Sequence, residues 1–68
     1  MYIALKGYRK INLLSQASAG KLLNITRESY CSKELGKTEF TMSEVNKLMK
    51  KFKEKMPTLT IEEVFIRK

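Results

Sequence analysis

The chain has 68 residues, enough for one small domain, and carries a formal net charge of +7 at pH 7. Fourteen lysines and arginines stand against seven glutamates, there is no histidine or aspartate, and Cys31 is the single cysteine. The usual catalytic triads and metal clusters cannot be built from this set, so neither an enzyme nor a cofactor is expected. The excess of cations favours a polyanionic partner, because cationic side chains that bind a polyanion release its condensed counterions.

The expected compartment is the cytoplasm. Cys31 cannot form a disulfide within the chain, which fits a reducing environment better than secretion. The opening segment MYIALKGYRK contains no long apolar run, so neither a signal peptide nor a membrane span is expected. We therefore predict a single domain over residues 1–68 that has no contact with a membrane.

Five short helices are predicted in chain order, over residues 3–12, 16–23, 27–34, 42–55 and 61–66. The first is indicated by the spacing of Leu5, Tyr8 and Ile11. The fourth has the clearest periodicity and ends before Pro57; its apolar positions are Val45, Leu48, Met49, Phe52 and Met56. No alternating strand pattern appears, so the expected fold class is all-α, with the helices around one core.

Four of these helices share a start signal, in which an apolar residue precedes a serine or threonine that can cap the helix. The pairs are Leu14-Ser15, Ile25-Thr26, Phe40-Thr41 and Leu59-Thr60. Three positions after Thr41 and Thr60 the chain has Glu44 and Glu63, which completes the pattern of a reciprocal capping box. The repeated signal indicates where the last four helices begin.

The second and third helices are separated only by Asn24, Ile25 and Thr26. Asparagine tolerates the left-handed conformation that ends a helix, and Thr26 can cap the next one. Ala19 and Gly20 are small where two crossing helices approach each other, so the segment is typical of a helix-turn-helix. A glycine inside a helix also costs about 1 kcal/mol relative to alanine, so the second helix is expected to be soft.

Several short segments in one register point to a known family. They are Leu14-Ser15-Gln16, Leu23-Asn24-Ile25-Thr26, Ser29-Tyr30, Lys33-Glu34-Leu35-Gly36-Lys37, Phe40-Thr41 with Glu44, and Thr60 to Phe65. Together they resemble the Cro/repressor (XRE-like) helix-turn-helix family of phage and bacterial regulators. The resemblance runs without gaps from Arg9 to Lys37. It implies a lambda-repressor-like domain in which the second and third helices bind DNA.

The resemblance also implies roles for particular residues. Base edges in the major groove would be met from the start and outward face of the third helix, by Arg27, Glu28, Ser32 and Lys33. Phosphates would be held by Gln16, Ser29, Lys37 and Thr38. Arg9 and Glu34 would form a structural ion pair between the first and third helices. The alternative for the exposed residues is a solvated helix face.

The sequence thus predicts sequence-specific binding of double-stranded operator DNA by a transcriptional regulator. Two alternatives stay open. One is a protein-interaction module, such as an antitoxin or a phage-encoded inhibitor, on a helix-turn-helix frame. The other is an RNA- or ribosome-associated basic protein, although few aromatic residues fall on faces where they could stack on bases.

A weak homodimer is also predicted, formed either in solution or only on DNA. One recognition helix reads few base pairs, and members of the family commonly pair on two half-sites. The segment after Pro57 offers apolar residues for such a contact, namely Ile61, Val64, Phe65 and Ile66. The alternative is that most of these residues complete the core.

Overall fold

The computed structural model describes residues 1–66, and every regular element in that range is an α-helix. The helices are α1 (Ile3–Ile11), α2 (Gln16–Leu23), α3 (Arg27–Leu35), α4 (Met42–Lys53) and α5 (Ile61–Val64). The predicted all-α class with five short helices is confirmed. Of the described helices, none combines the length and the apolar character that crossing a bilayer requires.

The helix starts follow from the capping residues. The side chains of Ser15, Thr26, Thr41 and Thr60 each accept a hydrogen bond from a backbone N–H in the first turn of the helix that follows. At α4 and α5 the glutamate side chain also accepts from the backbone N–H of the capping threonine, so both predicted capping boxes are present. Local hydrogen bonding therefore sets four of the five helix starts.

Three helices end earlier than predicted, α1 by one residue and α4 and α5 by two residues each. Helix α4 ends at Lys53, because the next backbone N–H groups, of Glu54 and Lys55, bond to carbonyls three residues back as the chain turns toward Pro57. Helix α5 ends at Val64, not at residue 66. The region of α5 is therefore a single helical turn.

All five helices contribute buried residues to one core, in which α2 packs against α3 and α4, and α1 packs against α5. Its largest fully buried side chains are Leu5, Tyr30, Leu48, Phe52 and Val64. Two residues at predicted core spacing are instead at the surface, since Ile11 is 55% exposed and Met56 is 38% exposed. Ile11 is the last residue of α1, and Met56 lies beyond the end of α4, so neither side chain is held against the core by a continuing helix.

Three aromatic rings join the two ends of the described chain to the segment before α4. The centroid distances are 5.6 Å for Tyr2–Phe40, 5.9 Å for Tyr2–Phe65 and 5.4 Å for Phe40–Phe65, all with edge-on geometry. Val64 is fully buried and Phe65 packs against the core. Of the apolar residues proposed for a dimer contact, these two complete the core, and Ile61 and Ile66 stay at the surface.

The turn between α2 and α3 has the predicted left-handed residue. Asn24 has φ 61° and ψ 40°, and the backbone N–H of Ile25 donates to the Gly20 carbonyl at 2.9 Å. A Cβ on Gly20 would lie 3.0 Å from the Ile25 carbonyl oxygen and 3.1 Å from that of Thr26. The close approach of the turn therefore favours glycine at this position, because a Cβ would fit only if the two carbonyls moved by a few tenths of an ångström. The expectation of a soft α2 did not include this tertiary contact.

Alanine substitutions at two glycines should have opposite effects on stability. Gly7 lies in the middle of α1 with nothing within 4 Å of an added Cβ, so Gly7→Ala should stabilise the fold by about 0.5–1 kcal/mol. Gly20→Ala gains the same helix propensity but presses on two backbone carbonyls, and should destabilise by roughly 1 kcal/mol. Urea unfolding measures the free energy of unfolding of both variants. An equal increase for Gly7→Ala and Gly20→Ala would show that the turn can move to accommodate a Cβ at position 20.

Candidate nucleic-acid interface

Helix α3 has an inward and an outward face. Tyr30 and Glu34 are four residues apart and both are buried. Glu28 and Ser32 are also four residues apart but lie on the opposite side, with Glu28 exposed and Ser32 half-buried. Arg27, at the first position of the helix, is exposed. The structure therefore brings three of the four predicted base-contacting residues to the accessible start and outer face of α3.

Lys33 forms an ion pair within the fold. Its Nζ lies 2.7 Å from Glu44 Oε1 and donates to the Glu39 carbonyl at 3.2 Å, and the side chain is only 15% exposed. Burial raises the pKa of Glu44, but hydrogen bonds from Lys33 and from the Thr41 backbone outweigh it and lower that pKa overall. The Lys33 ammonium group ties the end of α3 to the start of α4, so a base contact by Lys33 stays a prediction and would require this ion pair to open.

Gln16 also points differently from the prediction. Its Nε2 donates to Glu34 Oε1 at 3.3 Å and lies 3.7 Å from Cys31 Sγ, so the side chain bridges α2 and α3. The amide donors that were expected to hold a phosphate are directed toward α3. At the start of α2 the donors for a phosphate are backbone N–H groups, which have no partner within the helix.

Glu34 is the centre of a buried polar network. It accepts from Arg9 Nε at 2.9 Å, from Arg9 Nη2 at 3.3 Å and from the Tyr30 hydroxyl at 2.9 Å, in addition to Gln16. Arg9 Nη1 also donates to the Leu14 carbonyl at 2.8 Å. The predicted ion pair between α1 and α3 is thus present, within a larger network that also fixes the start of α2.

Burial and the contacts with Glu34 shift the pKa values of Arg9 and Tyr30. Burial by itself lowers the pKa of Arg9, but the hydrogen bond and the charge of Glu34 outweigh it and the net shift is upward. Burial, together with the Glu34 charge, raises the pKa of Tyr30. Arg9 therefore stays charged and Tyr30 stays a hydrogen-bond donor at pH values near neutrality.

The candidate phosphate contacts lie at both ends of α3. Ser29 is exposed, with its backbone N–H bound to the Thr26 side chain. Gly36, at φ 86°, ends the helix in the left-handed conformation, and the exposed Lys37 and Thr38 follow directly. The ion pairs Arg9–Glu34, Lys33–Glu44 and Lys51–Glu54 involve neither Arg27 nor Lys37. Both cations are therefore available to a charged partner.

Sequence reasoning missed the partner of Lys33. Glu44 was assigned to the capping box, and it does fill that position, but the same Oε1 atom also accepts from Lys33. The two residues belong to different helices and lie eleven positions apart, so helical periodicity carries no signal for their contact. Among residues 1–66, no three His, Cys, Asp or Glu side chains are grouped in a way that could hold a metal ion.

By its fold, the chain is a small all-α domain with a helix-turn-helix formed by α2, the turn at Asn24 and α3. No protein-family model, no curated protein and no solved structure matches this chain.

Proposed function

We propose that this protein is a sequence-specific, double-stranded DNA-binding transcriptional regulator of the Cro/repressor kind, which occupies an operator in the cytoplasm of a bacterial host. The observation that carries the proposal is the helix-turn-helix whose α3 is fixed from inside by Tyr30 and Glu34 and exposes Arg27 and Glu28. The net charge of +7 and the resemblance in the sequence support it further.

In this proposal, α3 lies in the major groove. Arg27 forms two hydrogen bonds with guanine O6 and N7, Glu28 accepts from a cytosine amino group, and Ser32 contacts either kind of base. Lys37 and Thr38 hold the phosphates beside the end of α3, and Ser29 holds one near its start. Each contact uses a residue that the structure leaves exposed or half-buried.

A titration of the protein with random-sequence duplex DNA tests this function. With about three phosphate contacts, affinity should fall roughly 10- to 100-fold over a fourfold rise in salt. Lys37→Ala should reduce the slope of log affinity against log salt by about one, and Lys6→Ala, an exposed lysine on α1, serves as the control. Affinity without salt dependence would favour the protein-interaction module instead, and stronger competition by RNA would favour an RNA-binding protein.

We further propose that two copies pair weakly on a palindromic operator, with half-sites about 34–36 Å apart. Since Val64 and Phe65 are used in the core, the apolar residues that the C-terminal segment can offer are Ile61, 40% exposed, and Ile66, 47% exposed. So small a contact fits a monomer in dilute solution that becomes a dimer on DNA.

The substitution Ile66→Glu should remove this pairing. Binding to a palindromic duplex should lose its cooperativity, because a charge would be buried without a partner, and affinity for an isolated half-site should stay the same. Ile3→Glu places the same charge at a residue of α1 that is 56% exposed, and should keep cooperativity. Gel-shift titrations on both duplexes measure this, and non-cooperative binding by the unmodified protein would mean that it works as a monomer.

A further inference from the structure

A second surface feature lies on α4 and α5, away from the candidate DNA-binding residues. It is a shallow groove of about 490 Å³, lined by Asn46, Met49, Lys50, Lys53, Glu54 and Ile61. None of these residues belongs to α2 or α3. A molecule in the groove would therefore leave the outer face of α3 accessible, and an inference about it does not depend on the proposed DNA binding.

The groove combines an apolar floor with a cationic rim. Met49 is 5% exposed and Ile61 is 40% exposed, so the floor presents a thioether and a branched side chain to a partner. Lys50 and Lys53 are exposed on the rim, three residues apart and hence on neighbouring positions of the same helix face. Glu54, which also lines the groove, is paired with Lys51 at 3.6 Å.

We propose that this groove docks an acidic peptide segment of a partner protein, with one apolar side chain against Met49 and Ile61 and carboxylates beside Lys50 and Lys53. A nucleic-acid backbone fits less well, because phosphates and sugars have no apolar side chain to place on the floor. In the absence of DNA, a second copy of this chain also fits less well, because two molecules of charge +7 repel each other when no polyanion neutralises them. The positive charge of the rim therefore favours an acidic partner. The apolar floor favours a partner that also carries an apolar side chain among its acidic residues.

A fluorescein-labelled synthetic peptide, in which glutamates flank a single leucine, tests the proposal on the full chain. Fluorescence anisotropy should show binding, and amide chemical-shift changes should centre on α4 and α5. Replacing the leucine of the peptide by serine should weaken binding roughly tenfold, because the apolar anchor is lost. The double variant Lys50→Glu/Lys53→Glu should weaken it by a similar factor of about ten.

The matched control is Lys6→Glu/Lys10→Glu, which reverses two exposed charges on α1 and changes the net charge equally. It should retain peptide binding, and all variants should keep the thermal midpoint of the unmodified protein. The groove variant should also retain most of its affinity for duplex DNA, which separates a failure of this proposal from a failure of the DNA-binding function.

Four results would overturn the docking proposal. The first is equal loss of binding in the control variant, which would mean that net charge alone attracts the peptide. The second is no effect of the leucine-to-serine change in the peptide. The third is a set of shifts on α2 and α3, which would show that the peptide imitates DNA. The fourth is concentration-dependent shifts at Asn46 and Met49 without peptide, since a second copy would then occupy the groove.

Discussion

Replacing Glu34 by alanine should lower the free energy of unfolding by about 3–5 kcal/mol. Glu34 is 4% exposed and accepts hydrogen bonds from Arg9, Tyr30 and Gln16. Its removal leaves the Arg9 guanidinium, itself 6% exposed, buried without a counter-charge. Because small domains are stable by only about 5–15 kcal/mol, the loss would be a large share of the total.

Two further variants separate the buried pair from a general effect of losing a carboxylate. Glu62→Ala removes an exposed glutamate from α5 and should change the urea midpoint little. The double variant Arg9→Met/Glu34→Leu removes both charges, so it should be more stable than Glu34→Ala alone. Equal urea midpoints for Glu34→Ala and Glu62→Ala would contradict a structural role for the network.

Replacing Arg27 by alanine should cost about 1–3 kcal/mol of specific DNA binding, or roughly 5- to 150-fold in affinity. The side chain is exposed at the first turn of α3, so the fold should be unaffected and the thermal midpoint unchanged. Preference should relax at one base pair of the operator, because the contact with guanine edges is lost.

Selection from a randomised duplex library measures the effect of Arg27→Ala on sequence preference. Lys37→Ala is the matched comparison, since it also removes one exposed cation but is proposed to contact a phosphate. That variant should weaken binding to all sequences alike. If Arg27→Ala and the unmodified protein ranked the library sequences in the same order of affinity, α3 would not read bases through Arg27.

The sequence by itself determined the features that depend on near neighbours in the chain. The caps at Ser15, Thr26, Thr41 and Thr60 act within three residues, and the left-handed Asn24 acts on its own backbone. Such signals were sufficient to predict the starts of four helices and the turn between α2 and α3. The pair of Arg9 and Glu34, twenty-five positions apart, was predicted from the register of the resemblance and not from a local signal.

Only the tertiary structure decided which of two chemically similar side chains has a partner within the fold and which one stays exposed. Lys33 and Lys37 are both lysines near the end of α3, but α4 brings Glu44 to the first and leaves the second exposed. Val64 and Ile66 are both apolar residues after Pro57, but only Val64 is covered by the core. Glycine is favoured at position 20 because the turn brings two carbonyls close to it. The physical reason is the same in all three cases. The contacting group belongs to another helix, to the core or to the following turn, and packing sets how close it lies.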